Sequence, residues 1–357
     1  MRCLPAILLL LTASMATASP GAPRVPTAAV FSADGALIMA QEHRSVRIWR
    51  RADGKLLHTL EADPMFRGAV TQGVVALVGD KGPEVRRGDG LKTRVLLKAP
   101  RVISYGRAAV SGDGSLAAVP YRADGGAGDN DTVGLFDSRT GAMLARLGLG
   151  KRARVLGVVL GQAGRLVLLF GDGPGRGALV RLYGLVGKRR VARRRLNWSS
   201  KRHKTTYSAA LSQDGRAMAL GAGQELLLWT LGGKIAGPRK TSTAAIKALF
   251  PPLLRGPGVQ LPGAHQLTFA PDGARLATLH AFGVVGVATW DVKSMKPTAW
   301  NARPSSGGTM RGAAWGEKGG LWLITAGYGP LVTLHAPRGN GFGPVRVLVD
   351  LDPLHAP

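Results

Sequence analysis

Residues 269–273 read FAPDG, and after an apolar run residues 287–291 read VATWD. The same order recurs at three other places: an apolar segment, an Asp-Gly pair, a second apolar segment, and a third segment that ends in an aromatic residue. The chain therefore contains an internal repeat, which must be recognised before any fold is assigned. The repeat positions are Asp34, Gly35, Trp49, Asp113, Gly114, Phe136, Asp137, Asp214, Gly215, Trp229, Asp272, Gly273, Trp290 and Asp291.

Each copy predicts four short antiparallel strands. The first strand ends in a tight Asp-Gly turn, where glycine supplies a positive φ, and a second glycine-bearing turn separates the third and fourth strands. Weaker copies begin near Gly73, Gly164 and Gly319. Four short strands cannot bury both faces of their own sheet, so the sheets are expected to stack against one another around an axis.

These segments resemble the WD-repeat β-propeller family over residues 28–352. The resemblance implies an all-β propeller of seven four-stranded blades, with six or eight as alternatives. Residues 19–27 hold three prolines and are unsuited to a central strand, so we expect closure without strand exchange. The resemblance to the WD-repeat family also implies a partial hydrogen-bond network formed by His265, Thr278 and Trp290. The expected blades are 28–62, 67–99, 107–149, 154–196, 207–238, 264–300 and 311–352, with an inserted loop or short helix at 239–263.

The N-terminus predicts export. Arg2 precedes the apolar run Leu4–Leu11, and Ala16-Thr17-Ala18 supplies small residues at a cleavage site. We therefore expect residues 1–18 to be a signal peptide and the mature chain to be secreted or periplasmic, with an uncleaved anchor as the alternative. The only cysteine, Cys3, lies in the removed segment, so the mature chain is expected to have no disulfide.

The net charge of +27 predicts adhesion to polyanions, with compositional bias as the alternative. Residues 188–204 contain nine Lys or Arg residues. Such a cluster suits anionic backbones, and an aromatic residue within it suits stacking. A charged outer edge strand that prevents sheet-to-sheet pairing is the other interpretation. The candidate polyanion or partner-binding residues are Arg193, Arg194, Arg195, Trp198, Lys201, Arg202 and Lys204.

The two ends of such a propeller differ in sequence. The turn face, which carries the first-to-second and third-to-fourth turns, has short connections throughout. The loop face carries the second-to-third and blade-to-blade connections, and it holds every long segment. An acidic stretch there (Asp124, Asp129, Asn130, Asp131) and four histidines (His43, His203, His265, His280) match no calcium or zinc spacing, so no metal or cofactor is predicted.

The sequence thus predicts an exported, non-enzymatic scaffold that binds a protein, a peptide or an anionic polymer through its loop face. No catalytic residue is assigned, and no nucleophile or phosphate-binding motif is present. The alternative function is a propeller hydrolase, lyase or quinoprotein with its site at the central channel. Acidic or His residues that converge on the channel would favour the enzyme, and small apolar residues would favour the scaffold.

Overall fold

The fold is given by a computed structural model of the chain. It describes residues 28–32, 35–42, 45–61, 68–71, 73–79, 82–99, 107–122, 131–150, 152–161, 165–173, 177–186, 190–200, 206–222, 225–231, 237–241, 264–280, 286–302, 309–316, 320–326, 332–338 and 341–348. Among these residues, no helix has the length and hydropathy needed to cross a bilayer.

Seven antiparallel sheets of four consecutive strands make up the described chain. We call them blades 1 to 7. In blades 1 to 3 the strands are β1 (Ala28–Phe31), β2 (Leu37–Glu42), β3 (Ser45–Arg50), β4 (Leu56–Glu61); β5 (Ala69–Thr71), β6 (Val74–Gly79), β7 (Gly82–Arg87), β8 (Thr93–Leu96); β9 (Ala109–Val110), β10 (Leu116–Arg122), β11 (Asp131–Asp137), β12 (Met143–Gly148). A short 3-10 turn, Asp89–Leu91, separates β7 from β8.

The remaining four blades follow the same plan. Their strands are β13 (Arg154–Leu160), β14 (Leu166–Gly173), β15 (Gly177–Val186), β16 (Arg190–Ser200); β17 (Thr206–Leu211), β18 (Ala217–Ala222), β19 (Glu225–Thr230), β20 (Arg239–Lys240); β21 (Ala264–Phe269), β22 (Arg275–His280), β23 (Gly286–Asp291), β24 (Pro297–Ala302); β25 (Thr309–Trp315), β26 (Leu321–Ala326), β27 (Val332–Arg338), β28 (Gly341–Leu348).

The blades stand side by side around a ring because alternate residues of each strand pack on opposite neighbours. In β6, Val75 and Leu77 join a hydrophobic cluster with blade 1, whereas Val74 and Ala76 join one with blade 3. Seven such clusters occur among the described residues, one at each interface between blades. First strands contact first strands of neighbouring blades, and a parallel bridge between Arg107 and Gly157 shows that they run in the same direction.

Blade 7 closes the ring directly on blade 1. Ala29 and Trp49 share a cluster with Ile324, and the Arg51 guanidinium lies 5.0 Å from the Trp322 ring centroid. Every described sheet contains only consecutive strands. The predicted seven-bladed propeller closed without strand exchange is therefore confirmed.

Three blade boundaries differ from the sequence prediction. Strand β24 ends at Ala302, two residues beyond the predicted end of blade 6, and β20 (Arg239–Lys240) lies within the predicted insert. Strand β16 continues to Ser200, because β15 and β16 form a long hairpin whose register absorbs three irregularities. Thr241, considered above as part of the insert, extends blade 5 instead. Its backbone N–H donates to the carbonyl of Leu226 at 3.1 Å, and its buried hydroxyl accepts the Leu226 N–H at 3.1 Å. The rest of the insert lies outside the described residues.

Close packing between blades requires glycine, which has no side chain, at particular turns. Gly141 has φ +69°, and a Cβ there would lie 2.2 Å from the Leu96 carbonyl oxygen of the preceding blade. Gly73 has the same φ of +69°, but a Cβ there would meet nothing within 4 Å. A Cβ at Gly73 would therefore add only the energetic cost of a left-handed backbone, whereas a Cβ at Gly141 would add a steric clash with the preceding blade as well.

We expect Gly73→Ala to reduce the free energy of unfolding by about 1 kcal/mol, which is the left-handed penalty less the reduced entropy of the unfolded chain. Gly141→Ala carries the same penalty and also forces blade 3 away from blade 2, which costs about 1–3 kcal/mol more. Urea unfolding of both variants measures the difference. Equal losses would show that blades 2 and 3 do not pack as described.

Candidate functional site

The Asp-Gly turns are held by a serine and an aspartate that act together. In blade 5, the Ser212 hydroxyl donates to Asp214 Oδ1 at 2.6 Å, and the same oxygen accepts the Arg216 N–H at 3.0 Å. The Gly215 N–H closes the turn on the Ser212 carbonyl at 2.9 Å. The Asp214 side chain therefore serves its own turn.

Blade 3 repeats this pair, because Ser111 donates to Asp113 Oδ1 at 2.6 Å. In blade 6 the serine position is Ala270, and the Asp272 carboxylate accepts only the backbone part of the pattern, the Ala274 N–H at 2.9 Å. Gly35, Gly114 and Gly273 all have positive φ. Asp34 lies outside the described residues.

The aspartates of the third-to-fourth turns also accept hydrogen bonds within their own turns. Asp137 Oδ1 accepts the N–H groups of Arg139 and Thr140 at 2.8 and 3.0 Å. Asp291 Oδ1 accepts the Ser294 N–H at 2.6 Å. Hydrogen bonds to Ser294 are the main reason that the pKa of Asp291 is lowered. These two carboxylates lie on the turn face and are held by backbone donors.

The aromatic repeat residues form the core. Trp49, Phe136, Trp229 and Trp290 are fully buried, and each packs in the interface with the preceding blade. The recurrence of these aromatic residues along the sequence therefore reflects the packing of each blade on the preceding one.

The structure completes the Thr278–Trp290 network with a different histidine. The Trp290 indole N–H donates to Thr278 Oγ1 at 2.9 Å, and the same hydroxyl lies 2.9 Å from His280 Nε2. His280 is buried at the end of β22, whereas His265 is partly buried in β21 and is absent from these contacts. Residues two apart on one strand face the same side, which is the signal that could have indicated His280.

The basic cluster is described only in part. Arg193 and Arg194 pair with Gly184 and Tyr183 in the outer strand β16, and Arg195 lies beside them. Their side chains, and all of Lys201, Arg202 and Lys204, lie outside what the structure describes. Trp198 is partly buried, and its ring meets the Trp229 ring edge-on with centroids 5.4 Å apart and planes at 79°. The Trp198 ring is therefore part of the packing between blades 4 and 5.

Among the described residues, two carboxylates are buried, those of Asp131 and Glu84. Asp131 lies at the loop face and is fully buried, and its Oδ2 accepts the Val155 N–H of blade 4 at 3.0 Å. Asp172 lies nearby on blade 4, where burial raises its pKa even though Arg154 Nε is 3.3 Å from its Oδ1. Asp131 thus fastens blade 3 to blade 4, a role that the sequence pattern of the acidic stretch did not indicate.

The second buried carboxylate is Glu84 in β7. Its side chain is 0% exposed, and it is paired with Arg86 Nε at 2.6 Å and with Arg94 Nε. All three residues belong to blade 2, and the pair with Arg94 joins β7 to β8, whereas Arg86 lies on β7 itself. Among the described residues, no group of three or more His, Cys, Asp or Glu side chains could hold a metal ion. Asp124, Asp129, Asn130, His43 and His203 lie outside that part of the chain.

The central channel is formed by the first strands of the blades. Within the described first strands the residues are mostly Ala, Val, Leu and Thr, and the charged members are Arg154 and Arg311, with His265 as the only imidazole. Their carbonyl and hydroxyl groups bind neighbouring blades. For example, Ser208 Oγ donates to the Ala264 carbonyl at 2.7 Å.

The ring of seven four-stranded antiparallel sheets defines a β-propeller. Among solved structures, the chain is similar to a propeller protein, hydrazine synthase from Kuenenia stuttgartiensis, with a TM-score of 0.64 and 13% sequence identity. The match covers 92% of this chain and 99% of that chain. At this identity the likeness concerns the fold alone. No family model and no curated protein sequence matches the chain.

The Ser-Asp turn predicts a pH-dependent stability. Hydrogen bonds from Ser212, and then from the Arg216 backbone, lower the pKa of Asp214 below its ordinary value of 3.8. A carboxyl group with a lowered pKa stabilises the fold above its unfolded pKa, and that contribution is lost as the pH falls through the folded value. Ser212→Ala should therefore cost more at pH 6 than at pH 3, by roughly a few tenths of a kcal/mol, because the half-exposed carboxylate is screened by solvent.

Thermal unfolding across this pH range measures the effect. Ser138→Ala is the control, because the Ser138 hydroxyl donates to the Gly114 carbonyl rather than to a carboxylate. Its cost should stay constant with pH. If Ser212→Ala also has a constant cost, the Ser212–Asp214 hydrogen bond does not shift the titration.

Proposed function

We propose that this propeller is an exported, non-enzymatic binding scaffold of WD-repeat type that recognises a protein, a peptide or an anionic polymer through its loop face. The observation that carries the proposal is how the chain uses its reactive groups. Described carboxylates that repeat around the ring accept backbone N–H bonds in turns, as Asp137 and Asp214 do. Groups engaged in this way hold structure and are poorly placed for proton transfer.

The composition of the channel supports the same conclusion. The described first strands are dominated by small and apolar side chains. A hydrolytic or lyase site at the channel needs an acid, a base or a nucleophile close to the reacting atoms. Hydrazine synthase is an enzyme by its name, but 13% identity carries only the fold to this chain.

The difference between the two faces favours the loop face as the binding surface. Turn-face connections of the described residues close on themselves, as between Gly114 and Ser111 and between Gly215 and Ser212. The longest connection, 241–263, and the connections 97–108 and 123–130 join strands at the opposite face, whereas the expectation of uniformly short turn-face connections fails at residues 231–238 between β19 and β20. Variable loops on a rigid frame are where binding usually occurs.

Charge favours an anionic surface or an acidic partner segment. The chain has 48 basic and 21 acidic residues, so it attracts polyanions from a distance. Arginines of β16 lie on the outermost strand of blade 4, and Lys201, Arg202 and Lys204 follow directly in sequence. Since Trp198 packs on Trp229, we assign the recognition of anionic groups to these cations and not to stacking on Trp198.

The triple variant Lys201→Ala, Arg202→Ala and Lys204→Ala should elute from heparin at lower salt than the wild type. Its affinity for a single-stranded oligonucleotide, measured by fluorescence anisotropy, should depend on salt with a slope reduced by about 2. Loss of three contacting cations causes both effects, because each releases bound counterions.

The matched control removes three exposed cations from the turn face: Arg139→Ala, Arg216→Ala and Lys293→Ala. Both variants have the same net charge, so a difference between them reports the position of the cations. Equal retention of the two variants would refute a localised basic site. A pull-down from the source organism's envelope fraction with the mature chain then tests for a protein partner.

A further inference from the structure

A cleft of about 330 Å³ separates blades 1 and 2 at the turn face. Its floor is the hydrophobic cluster between the two blades, to which Ile48, Val70 and Val75 belong. Neither the predicted loop-face function nor the blade packing accounts for this cleft. Its volume lies within the lower part of the range for small-molecule sites, roughly 300–1,000 Å³.

The cleft exists because the first turn of blade 2 is short. At other interfaces the Asp-Gly turn presses on the preceding blade. A Cβ on Gly35 would lie 3.1 Å from the Trp315 carbonyl oxygen, and one on Gly215 would lie 3.1 Å from Leu166 Cδ1. In blade 2, only residues 72 and 73 connect β5 to β6, and a Cβ on Gly73 would meet nothing within 4 Å.

The accessible apolar wall of the cleft comes mainly from blade 1, where Leu37 and Leu57 are partly exposed. Ile48, Val75 and Leu91 are 1%, 1% and 4% exposed and belong to its buried floor. Thr71 also lines the cleft, but its hydroxyl donates to the Gly112 carbonyl at 3.2 Å.

Two potential donors stand at the blade 1 side of the cleft. Arg50 and His58 both line it, on neighbouring strands whose pairing sets Ile48 opposite His58. The Arg50 side chain is 50% exposed and contacts Asp53 Oδ2 through Nη1 at 2.9 Å. A guanidinium has five N–H donors, so this contact leaves others for an anion.

We propose that the cleft binds a small amphipathic anion, with its hydrocarbon part against Leu37 and Leu57 and its carboxylate or similar group at Arg50 and His58. Apolar walls provide the affinity through buried surface, and Arg50 provides the preference for an anion. This site is on the turn face, opposite the proposed loop-face site, so it can be tested separately.

Octanoate is the probe, and 1-octanol is its neutral counterpart. Isothermal titration of the full mature chain should show saturable binding of octanoate with a Kd on the order of 0.1–1 mM, as expected for a ligand of about ten heavy atoms. Binding of 1-octanol should be at least fivefold weaker. Absence of saturation by octanoate, or equal binding of both compounds, would overturn the proposal.

A tryptophan placed at the mouth tests the location. Ala36 lines the cleft directly after the blade 1 Asp-Gly turn, so Ala36→Trp should abolish octanoate binding. Ala274 holds the same position after the blade 6 turn, and Ala274→Trp should bind octanoate like the wild type. Near-ultraviolet circular dichroism establishes that both variants are folded. Retained binding by a folded Ala36→Trp would place octanoate elsewhere.

A charge-matched pair tests the anion contact. Arg50→Ala should weaken octanoate binding at least fivefold and leave 1-octanol binding unchanged. Arg216→Ala removes the same charge from the equivalent face of blade 5, where Arg216 Nε lies 3.9 Å from Asp214 Oδ2, and it should have no effect. An equal loss in both variants would show that octanoate responds to net charge and not to the cleft.

Discussion

No blade of this protein can bury its own two faces, and the rest of the structure follows from that constraint. A four-stranded sheet with apolar residues on both sides requires a neighbour on each side. In β19, Leu226 and Leu228 pack towards blade 6, whereas Leu227 and Trp229 pack towards blade 4. Such strands read as continuous apolar runs, and only a ring satisfies all of them at once.

Features that depend on local chemistry could be predicted from the sequence. The Asp-Gly turns and the buried aromatic near the end of the third strand in four of the blades are short-range signals, and the structure places Gly114, Gly215 and Trp290 accordingly. The number of blades also followed, although the copies near Gly73, Gly164 and Gly319 lack the Asp-Gly pair. Each of those copies keeps its spacing and its apolar strands, which is sufficient to form a sheet.

Features that depend on register or on a neighbouring blade could not be predicted. His280 rather than His265 meets Thr278 because β22 carries both residues on one side. The length of β16 follows from bulges in the β15–β16 hairpin. Asp131 was part of an unassigned acidic stretch, yet it accepts a backbone N–H from blade 4. The cleft beside Gly73 arises because the first turn of blade 2 is short, and no sequence pattern predicts how a neighbouring blade fills that space.

The closure of the ring has a consequence for how the molecule opens. Six of the seven interfaces join blades that follow one another along the chain, whereas the described residues of blades 7 and 1 meet through non-covalent contacts such as those of Arg51 with Trp322 and of Trp49 with Ile324. Among the described strands, parting at this seam breaks no ladder hydrogen bond. The ring can therefore open at this interface while every sheet stays intact. Amide hydrogen exchange would not detect such an opening, whereas the fluorescence of Trp322 would report it.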